Sequence, residues 1–157
     1  MPPLPVANAA VRASILRWLD VFSSHVRAVD YAAARPMWHK DVQAFGTHRD
    51  VMQGLETAIA TQWDNVWPRT ADFTFDLAST HVLAAADGSM AVAVAPWSST
   101  GFHADKQKFD RPGRATMVFL RTDDAELADG WRCMHSHMSL NRGVPQTSHA
   151  DRPVKAR

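Results

Sequence analysis

The chain has 157 residues, 17 basic against 16 acidic side chains for a net charge of +1, and 46% apolar residues. That is a one-domain length able to bury a core without staples, and the charge gives no reason to expect nucleic acid or a membrane surface as a partner. The lone cysteine, Cys133, excludes an internal disulfide. No apolar run approaches the ~20 residues of a membrane span, and the proline-rich start lacks the basic and apolar regions of a secretory leader, so a cytoplasmic location is expected.

Residues 1–7 read as a flexible arm. A helix is expected from about Asn8 to Val29, because Val11, Ile15, Trp18, Leu19, Phe22 and Val26 recur at steps of three and four and form one apolar stripe. Asp30 is placed to cap a short second helix through Tyr31 and Ala34, which Pro36 closes. Val42 to Phe45 reads as a short strand ended by Gly46. The second major helix is expected from Val51 or Gly54 to Trp67, with Asp50 as cap for the earlier start. Leu55, Ile59, Trp63 and Trp67 share one of its faces, and Pro68 ends it.

From Asp72 the period changes to two. Phe73, Phe75 and Leu77 predict a half-buried strand running on to Ala86, and Asp87-Gly88 is a hairpin turn. Met90, Val92 and Val94 alternate with small alanines in the returning strand, and Pro96 marks a bulge or an edge. His103 to Arg111 reads as a polar loop whose charges rim an opening or are simply solvated. Gly113 to Leu120 and Trp131 to Leu140 are the last strands, and 143–157 is an extended tail. Helices first and long antiparallel strands afterwards give an α+β architecture, with helices packed on the concave face of a curved sheet.

Six tryptophans and eight histidines are the unusual part of the composition. Trp38, Phe45, Trp63, Trp67 and Trp97 are candidates for an aromatic cavity wall, or for ordinary core. Strict alternation puts Trp131, Cys133, His135, His137 and Ser139 on one face of the last strand. A bulge near Cys133 would exchange the two faces. His135 and His137 are candidate acid–base groups, since free imidazole titrates near neutrality, and His48 is a third. The same two histidines, with His39 or His48, would suit a metal, or they serve hydrogen bonding within the sheet or a dimer interface. Arg114, with Thr116 on the same face, is placed to clamp an anionic group if that face is the concave one, or to form an interface ion pair. No phosphate-binding glycine loop, nucleophile triad or paired-cysteine motif is present, so neither a cofactor nor a resident metal is expected.

The order of elements, Gly54-Leu55 opening a tryptophan-bearing helix, and the ending Trp131-x-x-x-His135-x-His137-x-Ser139 together resemble the nuclear transport factor 2-like superfamily. The SnoaL-like and calcium/calmodulin-dependent protein kinase II association-domain branch is the most similar part of it, over residues 10–142. The resemblance implies a cystatin-like cone over residues 8–142 and a homodimer built on the sheet. It also implies a small-molecule ligand, apolar or aromatic, with proton-transfer chemistry of isomerase, cyclase or lyase type. A non-catalytic assembly or ligand-sensing domain is the alternative, and a histidine-based metal-dependent enzyme the second alternative. Two departures stand out. The Tyr/Asp pair of ketosteroid isomerases has no counterpart, and Met138 stands where the association domain has a pocket arginine.

Overall fold

The computed structural model describes residues 1–124 and 128–150. Helix α1 (Ala9–Ala28) is capped by the Asn8 side chain, which accepts from the Val11 N–H at 2.9 Å, and buries the stripe from Val11 to Val26 that its spacing predicts. Helix α2 (Tyr31–Ala34) is capped by Asp30 and runs into a 3-10 turn, Arg35–Met37, which tolerates Pro36 in its first positions. The strands are β1 (Trp38–Phe45), β2 (Val51–Gln53), β3 (Ala71–Phe75), β4 (His81–Ala84), β5 (Met90–Phe102), β6 (Lys108–Asp110), β7 (Gly113–Arg121) and β8 (Trp131–Leu140). They form one open sheet in the order β2-β1-β8-β7-β5-β3, with β4 and β6 also on β5. Among the described residues only β1 and β8 pair in parallel. Helix α1 lies on the concave face, where Ala91, Ala93, Ala95 and Ala115 are small enough to let it approach. Among the described residues no helix is long and apolar enough to cross a membrane.

Several elements differ from their sequence expectation, each for a reason of pairing. Val51–Gln53 is not the start of the second helix but a strand against β1, so the helix begins at Leu55. Gly54, at φ 84°, makes the corner, and Asp50 caps nothing. The helical run 55–69 is not uniform. It passes through a π turn, Ile59–Trp63, which swings its register between two α turns. The strand from Asp72 breaks after Phe75, where the Asp76 carboxylate accepts from the Ser79 N–H at 3.1 Å and turns the chain. Strand β5 runs straight through Pro96. Its missing donor points to the edge where β5 changes partner from β4 to β3, and there the Pro96 carbonyl accepts from Asp76 N at 2.9 Å. Within the expected polar loop, 108–110 pair with β5, and Arg111 continues that ladder by exchanging two backbone hydrogen bonds with Ser99.

The arm is anchored: Ala7 N–H donates to Val82 O at 3.0 Å and Ala84 N–H to Pro5 O at 2.9 Å, adding a short bridge to the edge of β4. Of the expected tail, the described part folds back on the sheet, with His149 N–H donating to Phe102 O at 2.9 Å. Residues 151–157 lie outside the described residues.

The decisive departure is in β8. Val118 pairs with His135 but Phe119 with Cys133, so Met134 is an extra, unpaired residue. Trp131 and Cys133 point into the concave core before the bulge. After it the inward residues are Ser136, Met138 and Leu140, while His135, His137 and Ser139 are turned outward. Deleting Met134 therefore leaves every other β8 side chain on its present face, and that variant is expected to keep a cooperative thermal transition. Deleting Ser136 instead absorbs the bulge by moving His135 into the inward place opposite Met117, and this variant is expected to melt well below the Met134 deletion; equal melting of the two would contradict the bulge assignment.

Candidate functional site

The 55–69 helix closes over the part of the concave face that α1 leaves open, and an open-mouthed cavity remains between them. Trp63 and Trp67 stack at 4.3 Å with 16° between their planes, because spacing by four puts them on one helical face. Trp38, Phe73 and Trp97 complete an aromatic enclosure, and opposite them stand the small residues Ala44, Gly46 and Ser136. Large rings facing small side chains leave the void. A Cβ at Gly46 would lie 2.3 Å from the Gln62 amide oxygen, so any other residue there would displace the Gln62 side chain.

One charged side chain enters this enclosure. Arg111 is 3% exposed, and none of the ion pairs formed among the described residues involves it. Its Nη2 donates to Thr47 Oγ1 at 3.1 Å, its guanidinium carbon sits 5.6 Å from the centre of the Trp97 ring, and its Nε–H has no partner. Burial without a counter-charge pulls its pKa down to about 10. Thr47 is held in turn: its hydroxyl oxygen also accepts from Gln62 Nε2 at 3.1 Å, while Gln62 Oε1 accepts the His48 N–H at 2.9 Å. A hydroxyl that accepts twice has its own proton left to donate. The indole N–H groups of Trp38 and Trp97 are buried without acceptors as well. The wall thus presents donors and a cation but no carboxylate and no imidazole.

Of the residues proposed from sequence, Trp38, Trp63, Trp67 and Trp97 line the cavity. Phe45 borders it, but its ring lies edge-on to the rings of His135 and His137 on the outer face, 5.3 Å from each. The Met134 bulge turns those two histidines away from the cavity, so neither lines it, and His135 Nδ1 is 2.8 Å from the Gln43 carbonyl oxygen. Arg114 and Thr116 are exposed on the same outer face, Arg114 donating to Leu140 O at 3.3 Å, so Arg114 clamps nothing inside. His48 borders a smaller polar chamber next door rather than the aromatic cavity. His39 accepts from the Asp41 N–H at 3.1 Å, and among the described residues no three His, Cys, Asp or Glu side chains converge as a metal site would need. Cys133 is fully buried, and burial raises its thiol pKa, as expected of a packing residue.

Sequence reasoning missed Arg111, Thr47 and Gln62. The signal for Arg111 was alternation: counted back from Phe119 through Met117, Ala115 and Gly113, it falls on the inward face.

Comparison with known proteins agrees on the fold. A family model described as a SnoaL-like domain matches residues 11–142. Among solved structures, the chain is similar to a CaMKII hub from S. rosetta, with TM-score 0.67 and 20% identity over 90% of this chain and 100% of that one. It is also similar to a nuclear transport factor 2-like superfamily protein from Salmonella enterica, with TM-score 0.68 and 19% identity over 88% and 97%. A third likeness is to a protein of the same superfamily with a cystatin-like fold from Novosphingobium aromaticivorans, with TM-score 0.65 and 16% identity over 85% and 84%. No curated protein matches.

An uncompensated buried cation opposes folding, and an apolar residue of similar length removes that opposition. Arg111→Met is therefore expected to melt several degrees above the wild type without ligand, for a gain of about 1–3 kcal/mol. Calorimetry showing a lower melting temperature would mean that Arg111 is instead a structural support.

Proposed function

We propose, from the premise that the chain belongs to the SnoaL-like domain family, that it is a ligand-capturing domain for an aromatic carboxylate. The ring would lie among Trp38, Trp63, Trp67 and Trp97, and the carboxylate on Arg111. The observation that carries this reading is the buried guanidinium with an unpartnered Nε–H in a wall that holds no carboxylate and adds further donors, among them two indole N–H groups and the Thr47 hydroxyl. An acceptor-rich anion satisfies all of them, whereas a neutral hydrocarbon satisfies none. Proton transfer by a histidine has no support in this geometry, since a general base must reach the substrate within about 3 Å or through one water. No imidazole lines the cavity.

A second role is favoured by a separate feature. The outer face of the sheet is not a plain solvated surface: Val94 and Phe45 are 46% and 37% exposed beside Val92, Val118 and the two histidines. Self-association through this face, as a homodimer, fits that character, and similar solved structures include a CaMKII hub and an association domain.

Thermal-shift measurements against benzoate- and naphthoate-type carboxylates test the first reading. At about 100 times its dissociation constant a ligand adds ~2.7 kcal/mol, roughly 5 °C or more at this size. The shift is expected to vanish in Arg111→Met and with the corresponding neutral amides, and to persist in His135→Ala and His137→Ala. A shift that survives Arg111→Met, or that disappears in the histidine variants, would overturn it. For the second reading, sedimentation should find a dimer that Val94→Glu and Phe45→Glu dissociate; a wild-type monomer at all concentrations would rule it out.

A further inference from the structure

Among the hydroxyl and amide side chains in the wall of the aromatic cavity, one is left without a partner. Thr47 and Gln62 bond to each other at 3.1 Å, and Thr70 Oγ1 donates to Val66 O at 3.1 Å. Ser136 lines the same cavity and is 3% exposed, yet among the described residues its hydroxyl makes no hydrogen bond. The register explains this. Ser136 stands between Ala44 of β1 and Met117 of β7, with Met138 as the next inward residue along β8. None of the three side chains offers a strong donor or acceptor. Ser136 faces inward because the Met134 bulge precedes it, and a serine side chain is no more than a Cβ and its hydroxyl. Turned to the cavity, it brings that hydroxyl to the cavity.

Ser136 and Arg111 enter the cavity from different ends. Both lie along the line of chain that β6 and β7 make beside β5: Arg111 is opposite Ser99, whereas Met117, the neighbour of Ser136, is opposite Ala93. Extended chain from 111 to 117 spans about 20 Å, and the arginine side chain covers only part of that distance. A substituent next to the ligand's carboxylate therefore stays beside Arg111, and one on the opposite side of the ring is directed to Ser136. The Ser136 end is otherwise apolar, with Ala44, Met52, Ala58 and Met138 around it, and Arg111 is the one charged side chain in the wall. A second charge placed there would be buried without a partner.

Resting on the aromatic-carboxylate reading above, we infer that Ser136 is a specificity-determining residue that binds a neutral hydroxyl on the side of the ring opposite the carboxylate, so that the ligand class is the para-hydroxylated aryl carboxylates. A buried hydroxyl without a partner loses free energy that a ligand group can restore. That group must hydrogen-bond, must be small and must be uncharged. A phenolic hydroxyl meets all three conditions, since it donates to the serine oxygen or accepts its proton. A methyl or a hydrogen at the same position leaves Ser136 unpaired, and a second carboxylate brings a charge that nothing at this end balances.

Isothermal titration of the wild type and Ser136→Ala with benzoate, 4-methylbenzoate, 4-hydroxybenzoate and 2-hydroxybenzoate tests this. The methyl compound matches the 4-hydroxyl in size but cannot hydrogen-bond, and both compounds feel any change in the cavity itself, so their affinity ratio isolates the hydroxyl. The ratio of 4-hydroxybenzoate to 4-methylbenzoate affinity is expected to fall about tenfold from the wild type to Ser136→Ala, because the substitution leaves a buried phenol unpaired. The ratio of 2-hydroxybenzoate to benzoate affinity is expected to be the same in both proteins. An unchanged first ratio, or an equal fall in the second, would overturn the assignment. In the wild type alone, 4-hydroxybenzoate is expected to bind several-fold tighter than 2-hydroxybenzoate, and the reverse order would overturn it without any variant. If benzoate binds in an Arg111-dependent way while these ratios fail, the role of Ser136 is wrong and the aromatic-carboxylate reading stands. If none of the four binds, both are wrong.

Discussion

Two indoles fasten the first helix to the last strand, and the shape of the interior follows from that joint. Trp18 Nε1 donates to the Trp131 carbonyl at 3.2 Å, and Trp131 Nε1 returns a bond to Ser14 Oγ at 2.9 Å. Both rings are fully buried, so each N–H needs a partner, and each finds it across more than a hundred residues of sequence. Trp18 then packs against Phe22, Trp38 and Phe119, and the contacts continue through Trp38 and Phe22 to Trp63 and Trp67. With α1 fixed at this end of the concave face, the other end falls to the 55–69 helix. That helix brings two stacked indoles against Ala44, Gly46 and Ser136, which are too small to fill the space. One end of the aromatic array is core and the other is cavity wall.

Arg111 is tolerated in that wall because its backbone has no freedom to leave. Two hydrogen bonds to Ser99 extend the β5–β6 ladder to it, and Pro112 follows. The side chain is therefore delivered inward by the sheet, and Trp97 and Thr47 only soften its burial. A carboxylate about 4 Å away would contribute on the order of 4 kcal/mol of attraction at an effective dielectric near 20, comparable with what burial of an unpaired charge costs. The site is in that sense unfinished without an anion. On the proposed function, a ligand's carboxylate would supply the partner that a neighbouring aspartate supplies in a structural ion pair.

The sequence was legible where a feature is local. The stripe of α1, the Asp30 cap, the Asp87-Gly88 turn and the pair Trp63 and Trp67 all follow from spacing within a few residues. What escaped depends on a partner strand. Val51–Gln53 is extended because β1 pairs with it, and 108–110 because β5 does. Met134 is unpaired only with respect to β7, so alternation within β8 cannot locate the bulge, although it shows what a bulge there would do. Arg111 was legible in principle. It shares a period of two with Gly113, Ala115 and Met117, but the proline between Arg111 and Gly113 argues for ending the strand too early.

The bulge also decides which side chains of β8 face the cavity. A strand with alternating faces would have brought two imidazoles into an aromatic cavity, a natural arrangement for moving a proton between carbons. One extra residue sends them outward to Phe45 and leaves Ser136 and Met138 to line the cavity in their place. The remaining ionisable group inside is a guanidinium whose pKa, even lowered to about 10, keeps it protonated at neutral pH and so unable to act as a base. The cavity wall carries a buried guanidinium, and the two imidazoles of β8 stand on the outer face. The same ten residues of β8 join a cavity wall of Ser136 and Met138 to an outer surface of His135 and His137.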